Sequence, residues 1–304
     1  MSFTAKDVQT LRERTGAGML ECKKALTESN GDFDKAIDHL RERGLAAAAK
    51  KAGRIAAEGI VYAEVCATCD SAVVIEVNIE TDFAAKNEKF QEFVKTLAGI
   101  VLDKAPADVE ALLSCEYPGG LTVLTALQEK VLTIGENIQI RRFERYCCGT
   151  TVPYIHMGGK IGVLVNMEVS DNLKGNSEIT ALGRDVAMQI AAMRPQWLAQ
   201  SEVDAATIEH EKKILTTQAM GEGKPQAVAE KMVVGRMRKF FEEFCLLDQP
   251  FVKENKITVA QYVDQTAKSL GGTIKLMKFT RFEKGEGIAK REDNFADEVA
   301  KMVK

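Results

Sequence analysis

Two hydrophobic periods alternate along this chain. In Ala72-Val73-Val74-Ile75-Glu76-Val77 β-branched residues dominate, which predicts a strand. From Lys89 to Asp103 the apolar residues fall at Phe90, Phe93, Val94, Leu97, Ile100 and Val101, the spacing of one helix face. Between them lies the junction Asn78-Ile79-Glu80-Thr81-Asp82-Phe83-Ala84-Ala85-Lys86-Asn87-Glu88. Thr81-Asp82 supplies an N-cap, because a short side-chain oxygen can accept from the free N–H groups of a first helical turn. Phe83 therefore lands in that turn, at the rim of a sheet. A bulky apolar residue there either folds back into the core or points outward as a plug for a partner. The tendency of large apolar side chains to be buried favours the core.

The N-terminal residues 3–44 read as three short helices. Thr4 caps the first, with Val8 and Leu11 inward; Thr15-Gly16-Ala17-Gly18 breaks the chain; the second runs from about Met19 to Ser29 and ends at Asn30-Gly31; the third runs from Phe33 to Arg43 and ends at Gly44. The expected core is Val8, Leu11, Leu20, Ala25, Leu26, Phe33, Ala36, Ile37 and Leu40, a size near the limit of independent stability. Met19, beside the break, suits either a core or an exposed contact made by a polarizable side chain. Arg12, Lys23 and Lys24 read one by one as a solvated face. Residues 45–57, small and basic, have little to bury and read as a linker with some helix.

The middle of the chain reads as a duplication. Strands at 60–65 and 72–77 are followed by helices to about Lys130 and a third strand at Ile138-Gln139-Ile140-Arg141-Arg142-Phe143-Glu144-Arg145. The order recurs with strands at 150–155 and 160–169 around the turn Gly158-Gly159, then helices, then a last strand at 274–282. Two hairpins, each joined by helices to a third strand, predict two small α+β subdomains with three-stranded antiparallel sheets, each with one face under helices. The second copy carries an insertion at about 201–250. Ser201 opens a helix, with Asp204 placed for a weak capping box, running to about Met220; Gly221-Glu222-Gly223-Lys224-Pro225 turns the chain; a second helix runs from Gln226 to Leu246 with Val228, Met232, Met237, Phe240, Phe241 and Phe244. Such an αα-hairpin is too narrow to bury both faces, so it is expected to project and to leave apolar surface for a partner, a second copy or the parent domain. Thr258 starts a return helix to Leu270, and a short amphipathic helix is expected at Asn294–Val303. The domain boundaries are therefore 1–44, a linker 45–57, 58–147, 148–284 with the insertion, and 285–304.

Composition narrows the function classes. A chain of 304 residues with 45% apolar and 28% charged residues supports two or three units with real cores. A net charge of −3 lacks the basic balance that phosphate neutralisation needs, so direct nucleic-acid binding is not expected. Nothing approaches the ~18 apolar residues of a membrane span, and Met1–Lys6 lacks the apolar core of a signal peptide. Seven scattered cysteines fit reduced thiols and a cytoplasmic location better than a disulfide framework.

Catalytic constellations do not stand out. His39, His156 and His210 form no metal-ligand spacing, and no Gly-x-Ser-x-Gly elbow occurs. Gly221–Pro225 follows a helix and lacks the Gly-x-x-x-x-Gly-Lys-Ser/Thr spacing of a phosphate loop. Cys66-Ala67-Thr68-Cys69 lies in a hairpin turn rather than at a helix N-terminus, where a redox thiolate is stabilised; with Cys147-Cys148 it could complete four zinc ligands, but neither zinc nor another cofactor is expected. His156, alone before a glycine turn, reads first as a surface hydrogen-bonding residue.

The motifs Leu11-Arg12-Glu13-Arg14-Thr15-Gly16-Ala17-Gly18-Met19, Cys22-Lys23-Lys24-Ala25-Leu26 and Asn30-Gly31-Asp32 strongly resemble the start of bacterial elongation factor Ts. The resemblance continues through Thr81-Asp82-Phe83, Ile134-Gly135-Glu136-Asn137, His156 with Ile161-Gly162-Val163-Leu164-Val165, Gly223-Lys224-Pro225 and Gly285-Glu286-Gly287, in the family's order along the whole chain. It implies an α+β protein with a small ubiquitin-associated-like three-helix domain, two duplicated subdomains and a projecting antiparallel coiled coil. The function implied is guanine-nucleotide exchange on elongation factor Tu during translation elongation, a task without covalent chemistry. GDP, GTP and Mg²⁺ would be held by the partner, and a homodimer through the second subdomain or the coiled coil stays open.

The resemblance also reverses the reading of Phe83. Thr81, Asp82, Phe83 and Ala84 would enter the partner's nucleotide domain, Phe83 wedging between its helices and disturbing the Mg²⁺ site. Arg12, Met19, Leu20 and Lys23 would contact the same domain, Ile134 and Gly135 would line the approach, and His156 would grip a second domain. Leu20 and Ala84 depart from the methionine and valine common in the family, without loss of a charge or the aromatic ring. Two alternatives remain: a passive interaction module of the helical domain on a scaffold, and a metal- or thiol-dependent enzyme using Cys66 and Cys69.

Overall fold

The computed structural model describes residues 3–15, 17–66, 71–223 and 225–289. The chain forms two compact units: one holds the residues up to Tyr62, Ile75–Phe143 and those from Glu283, the other holds Ala63–Val74 and Glu144–Phe282.

The N-terminal helices are α1 (Ala5–Thr15), α2 (Met19–Glu28) and α3 (Phe33–Lys51). Thr4 caps α1: its hydroxyl accepts from the Asp7 N–H at 3.3 Å and its own N–H donates to the Asp7 carboxylate at 2.7 Å. Asp32 caps α3 by accepting from the N–H groups of Asp34 and Lys35. Their core is Val8, Leu11, Ala17, Cys22, Ala25, Leu26, Ala36 and Leu40, with Phe33 and Ile37 half-buried against it. Leu20 is not part of it. On α2 the inward face falls at Cys22, Ala25 and Leu26, and Leu20 points to solvent, against expectation. Nor does Gly44 end α3. It is buried within the helix, where an added Cβ would come 3.4 Å from the Gln128 carbonyl oxygen. The missing side chain permits close helix packing, and contact with that neighbour carries the helix through seven residues read as linker.

The first sheet takes β1 (Glu58–Val65) and β2 (Ser71–Ile79). Then follow α4 (Asp82–Ala85), α5 (Glu88–Lys104), α6 (Val109–Ser114), the two-residue strands β3 (Glu116–Tyr117) and β4 (Leu121–Thr122), α7 (Val123–Ile134) and β5 (Ile138–Cys147). The strand order is β1-β2-β5. α5 buries Phe90, Phe93, Val94, Leu97, Ala98, Val101 and Leu102, the face that the spacing predicts. Central β2 is buried at every residue, so both of its faces are covered, not one as expected. That burial explains the apolar run Ala72–Ile75 within it, since strands covered on both sides do not alternate. It also encloses Glu76 and Asn78.

The order strand, strand, helices, strand then recurs. β6 (Thr150–His156) pairs antiparallel with β7 (Ile161–Val169), His156 opposite Ile161 and Thr150 opposite Met167. They are followed by α8 (Ser177–Met193), α9 (Ala205–Gly221), α10 (Gln226–Phe244), a short antiparallel pair β8 (Pro250–Phe251) and β9 (Glu254–Thr258), α11 (Val259–Ser269) and β10 (Ile274–Glu283). The sheet order is β10-β7-β6. Its core joins Val163, Val165 and Met167 of β7 to Ile179, Leu182, Val186 and Ile190 of α8. Gly183 is the point of closest approach: a Cβ there would stand 2.5 Å from a methyl of Val152.

The inserted hairpin is α9 with α10. Asp204, not Ser201, is the cap of α9, its carboxylate accepting from the Thr207 N–H at 2.8 Å; residues 200–202 form a 3₁₀ turn instead. Near the tip Arg236 pairs with Glu222 at 2.8 and 2.9 Å. At the base a buried network ties the hairpin down: Gln189 donates to the Gln249 side-chain oxygen at 3.0 Å, and Gln249 donates to the Glu243 carbonyl at 2.7 Å. Thr258 starts α11 as expected, and the structure adds a capping box there, with reciprocal bonds to Gln261.

Cys22, Cys115, Cys147, Cys148 and Cys245 are free thiols, but Cys66 is disulfide-bonded, which corrects the expectation of reduced thiols throughout. Cys66 sits where β1 turns back, its N–H donating to the Ser71 carbonyl at 2.8 Å. Cys69, Gly16, Lys224 and the helix expected at 294–303 lie outside the described residues. Among the described residues no helix is long and apolar enough to cross a membrane, and no three His, Cys, Asp or Glu side chains gather as a metal-binding group.

Candidate partner-binding site

At the end of β2 the chain turns into α4, and the junction first read from the sequence takes shape. Thr81 is extended (φ −124°, ψ 154°), and its hydroxyl accepts from the Ala84 N–H at 3.2 Å. The helix it caps has only four residues, far too few to persist alone. Ala85 anchors it by burial. The second anchor is Glu136: its carboxylate accepts from the Thr81 N–H at 2.9 Å and from the Thr81 hydroxyl at 2.7 Å. The exchange is reciprocal, because the Asn137 N–H donates to the Glu80 carboxylate at 2.6 Å. The Arg54 guanidinium lies 3.5 Å from that Glu80 carboxylate, and the Asn137 amide donates to the Arg54 carbonyl at 2.8 Å.

On this turn Phe83 is 82% exposed. The core reading drawn from burial statistics fails, because Asp82 and Phe83 occupy the outer side of a turn whose inward position is Ala85. Lys86 donates to the Asp82 carboxylate at 2.7 Å, which holds that carboxyl below its ordinary range. The same ammonium stands 5.9 Å from the Phe83 ring centroid.

A groove of about 740 Å³ passes beside the ring, with Arg12, Ala17, Gly18, Ala84, Lys89 and Ile134 in its walls. The structure thus gathers Arg12, Phe83, Ala84 and Ile134 in one place. Gly18 leads into Met19 and Leu20, which are 47% and 63% exposed at the start of α2. Arg12 and Lys23 are exposed as well, and Gly135, at φ +88°, is the left-handed residue that ends α7 and turns the chain into Glu136. His156 belongs to the other unit. It ends β6, half-buried, with its Nδ1 3.0 Å from the Tyr154 hydroxyl.

Sequence reasoning passed over three contributors: Glu80, Glu136 and Asn137. The motif Ile134–Asn137 was visible, but a bond spanning 55 residues, from Thr81 to Glu136, leaves no local pattern. Met157 was also missed; it is 69% exposed beside His156 with φ +49°, and its place ahead of two glycines was the available signal. Chemically the site offers an exposed aromatic ring, a carboxylate, scattered cations and a flexible thioether. This is a set for docking against a protein surface.

Residues 80–286 match the family profile described as Elongation factor TS. The elongation factor Ts of Clostridioides difficile (strain 630) is 51% identical over 304 residues, covering all of this chain and 99% of that protein. The elongation factor Ts of Symbiobacterium thermophilum is 50% identical over 305 residues, covering 99% of this chain and 98% of that protein. The namesake from Clostridium perfringens (strain 13 / Type A) is 48% identical over 302 residues, with 99% of each chain covered.

Proposed function

Because the chain belongs to the elongation factor Ts family, we propose that it is a nucleotide exchange factor that binds GDP-loaded elongation factor Tu and promotes GDP release. The observation that carries the mechanism is Phe83: a ring 82% exposed, on a turn fixed from both sides. Thr81, Asp82, Phe83 and Ala84 insert into the partner's nucleotide domain, and the ring opens the contacts that hold Mg²⁺ there. Arg12, Met19, Leu20 and Lys23 dock on the same domain, Ile134 and Gly135 line the approach, and His156 meets a second domain of the partner. Nucleotide and Mg²⁺ stay with the partner, and this chain supplies no acid, base or nucleophile.

The energetics need only linkage. A protein that binds its partner better without nucleotide must weaken nucleotide binding by the same factor. Fully burying an exposed Phe yields about 1.5–3 kcal/mol, and each ~1.4 kcal/mol directed against nucleotide binding is a tenfold weakening. One ring therefore accounts for roughly one to two decades, and the dispersed contacts supply the rest.

The test is release of a fluorescent GDP from elongation factor Tu at a substoichiometric amount of this protein. Fast, repeated release that Phe83→Ala slows by tenfold or more supports the wedge. Binding without acceleration would leave a passive interaction module and end the exchange reading.

A further inference from the structure

We infer that Glu136 is the positioning residue of the Phe83 turn: it sets where the ring is presented. The inference rests on the exchange reading above.

A ring that is 82% exposed takes almost no orientation from packing. Its place in space is then decided by the backbone of α4, and a four-residue helix cannot fix its own backbone. What fixes it is a short relay. The Glu136 carboxylate takes the single proton of the Thr81 hydroxyl at 2.7 Å, so the hydroxyl lone pairs are left to accept from the Ala84 N–H at 3.2 Å. Were that hydroxyl free to rotate, the cap would be one option among several. Bonded to Glu136, it has one orientation, and that orientation is the cap. The other carboxylate oxygen takes the Thr81 N–H at 2.9 Å, so the residue entering the helix is held by both main chain and side chain. Bonds to an ionic acceptor are the strong class.

The clamp is itself seated. Gly135 turns the chain out of α7 in a left-handed conformation open to few residues, and the returning bond from Asn137 to Glu80 locks the two segments in register. Glu136 thus links the Ile134-Gly135 segment to the Asp82-Phe83 segment as one rigid piece. The role is preorganisation: a partner that meets a loose turn must order it first, and its apparent affinity or rate falls by the fraction of the time that the turn is formed.

The experiment is a double-mutant cycle on stimulated GDP release, using the full chain with Glu136→Ala, Glu136→Gln, Phe83→Ala and the Phe83→Ala/Glu136→Ala pair, alongside amide hydrogen exchange of each free protein. Hydrogen exchange at Thr81 and Ala84 is expected to rise at least tenfold in Glu136→Ala. Stimulated release is expected to fall about tenfold, with partial recovery in Glu136→Gln, which keeps one acceptor oxygen. In the Phe83→Ala background the Glu136→Ala change is expected to do nothing further, because a positioning residue has nothing left to position. Additive losses, or unchanged exchange at Thr81 and Ala84, overturn the inference. If Phe83→Ala releases GDP as fast as the unaltered protein, the wedge fails instead, and the hydrogen-exchange arm still decides whether Glu136 holds the turn.

Discussion

Glu76 is a fully buried carboxylate in the middle of β2, and its replacement gives a sharp energetic test of the first unit. One of its oxygens accepts from Arg141 at 2.9 Å, from the Asn78 amide at 3.2 Å and from the Gly285 N–H at 2.8 Å. The other accepts from Arg142 Nε at 2.7 Å. Glu76→Gln keeps the shape but must turn its NH₂ group toward one set of donors. Breaking a buried ion pair from one side costs about 3–5 kcal/mol. Here the two arginines are 26% and 32% exposed, so water can resolvate them, and the lower end applies, about 3 kcal/mol. With roughly 2–4 °C per kcal/mol for a unit of this size, the melting transition should drop by about 6–12 °C. Chemical denaturation gives the free energy, and hydrogen exchange at Gly285 reports the site, since that amide donates directly to Glu76. A loss below about 0.5 kcal/mol with unchanged Gly285 protection would falsify the claim that this carboxylate ties residues 283–288 to the sheet.

Phe83→Ala should change stability by less than about 0.5 kcal/mol, because only the small covered fraction of a ring worth ~1.5–3 kcal/mol is at stake. Phe93→Ala, at 1% exposure, should cost about 3–5 kcal/mol; equal losses in thermal melts would refute the orientation of the α4 turn. The Asp82 carboxyl, held below the ordinary 3.8 by the bond from Lys86, stabilises the turn above that pH and loses its effect as pH falls through the lowered value. Lys86→Met should move the Asp82 titration, followed by carbon NMR, back upward. Cys245, whose thiol burial pushes up to about 11, and Cys22, also raised by burial, should resist a thiol reagent at neutral pH until the chain unfolds. Exposed Cys147 and Cys148 should react at once, as peptide mapping would establish.

Long elements with a clear period were legible in the sequence. The inward face of α5, the duplicated strand order and the helix start at Thr258 were all read from local spacing, and local spacing caused them. Features settled by tertiary contact were not. Gly44 is a helix stop by propensity, but the close approach to Gln128 overrides propensity. Leu20 is apolar and faces water, because the inward face of a short helix has room for only three residues. The pairs β3–β4 and β8–β9 are too brief to carry a period. At the site the Thr81 cap was legible in the residues, whereas the expected partner contacts came from resemblance. Burial statistics placed Phe83 in the core, and nothing within a window of sequence reveals that Glu136 grips Thr81.

The αα-hairpin has a consequence for cooperativity. Its buried side chains are few: Ala219 from α9, and Ala229, Val233 and Met237 from α10. At roughly 0.8 kcal/mol per buried methylene, so small a seam cannot hold the outer turns as firmly as Val186 and Ile190 hold α8. The hairpin is then a separate foldon, opening many times for each global unfolding event while Gln189 and Gln249 keep its base closed. A protease should nick it first and leave a folded, two-fragment complex. The chain's resistance to degradation is then set by this hairpin, through the few side chains that close its seam.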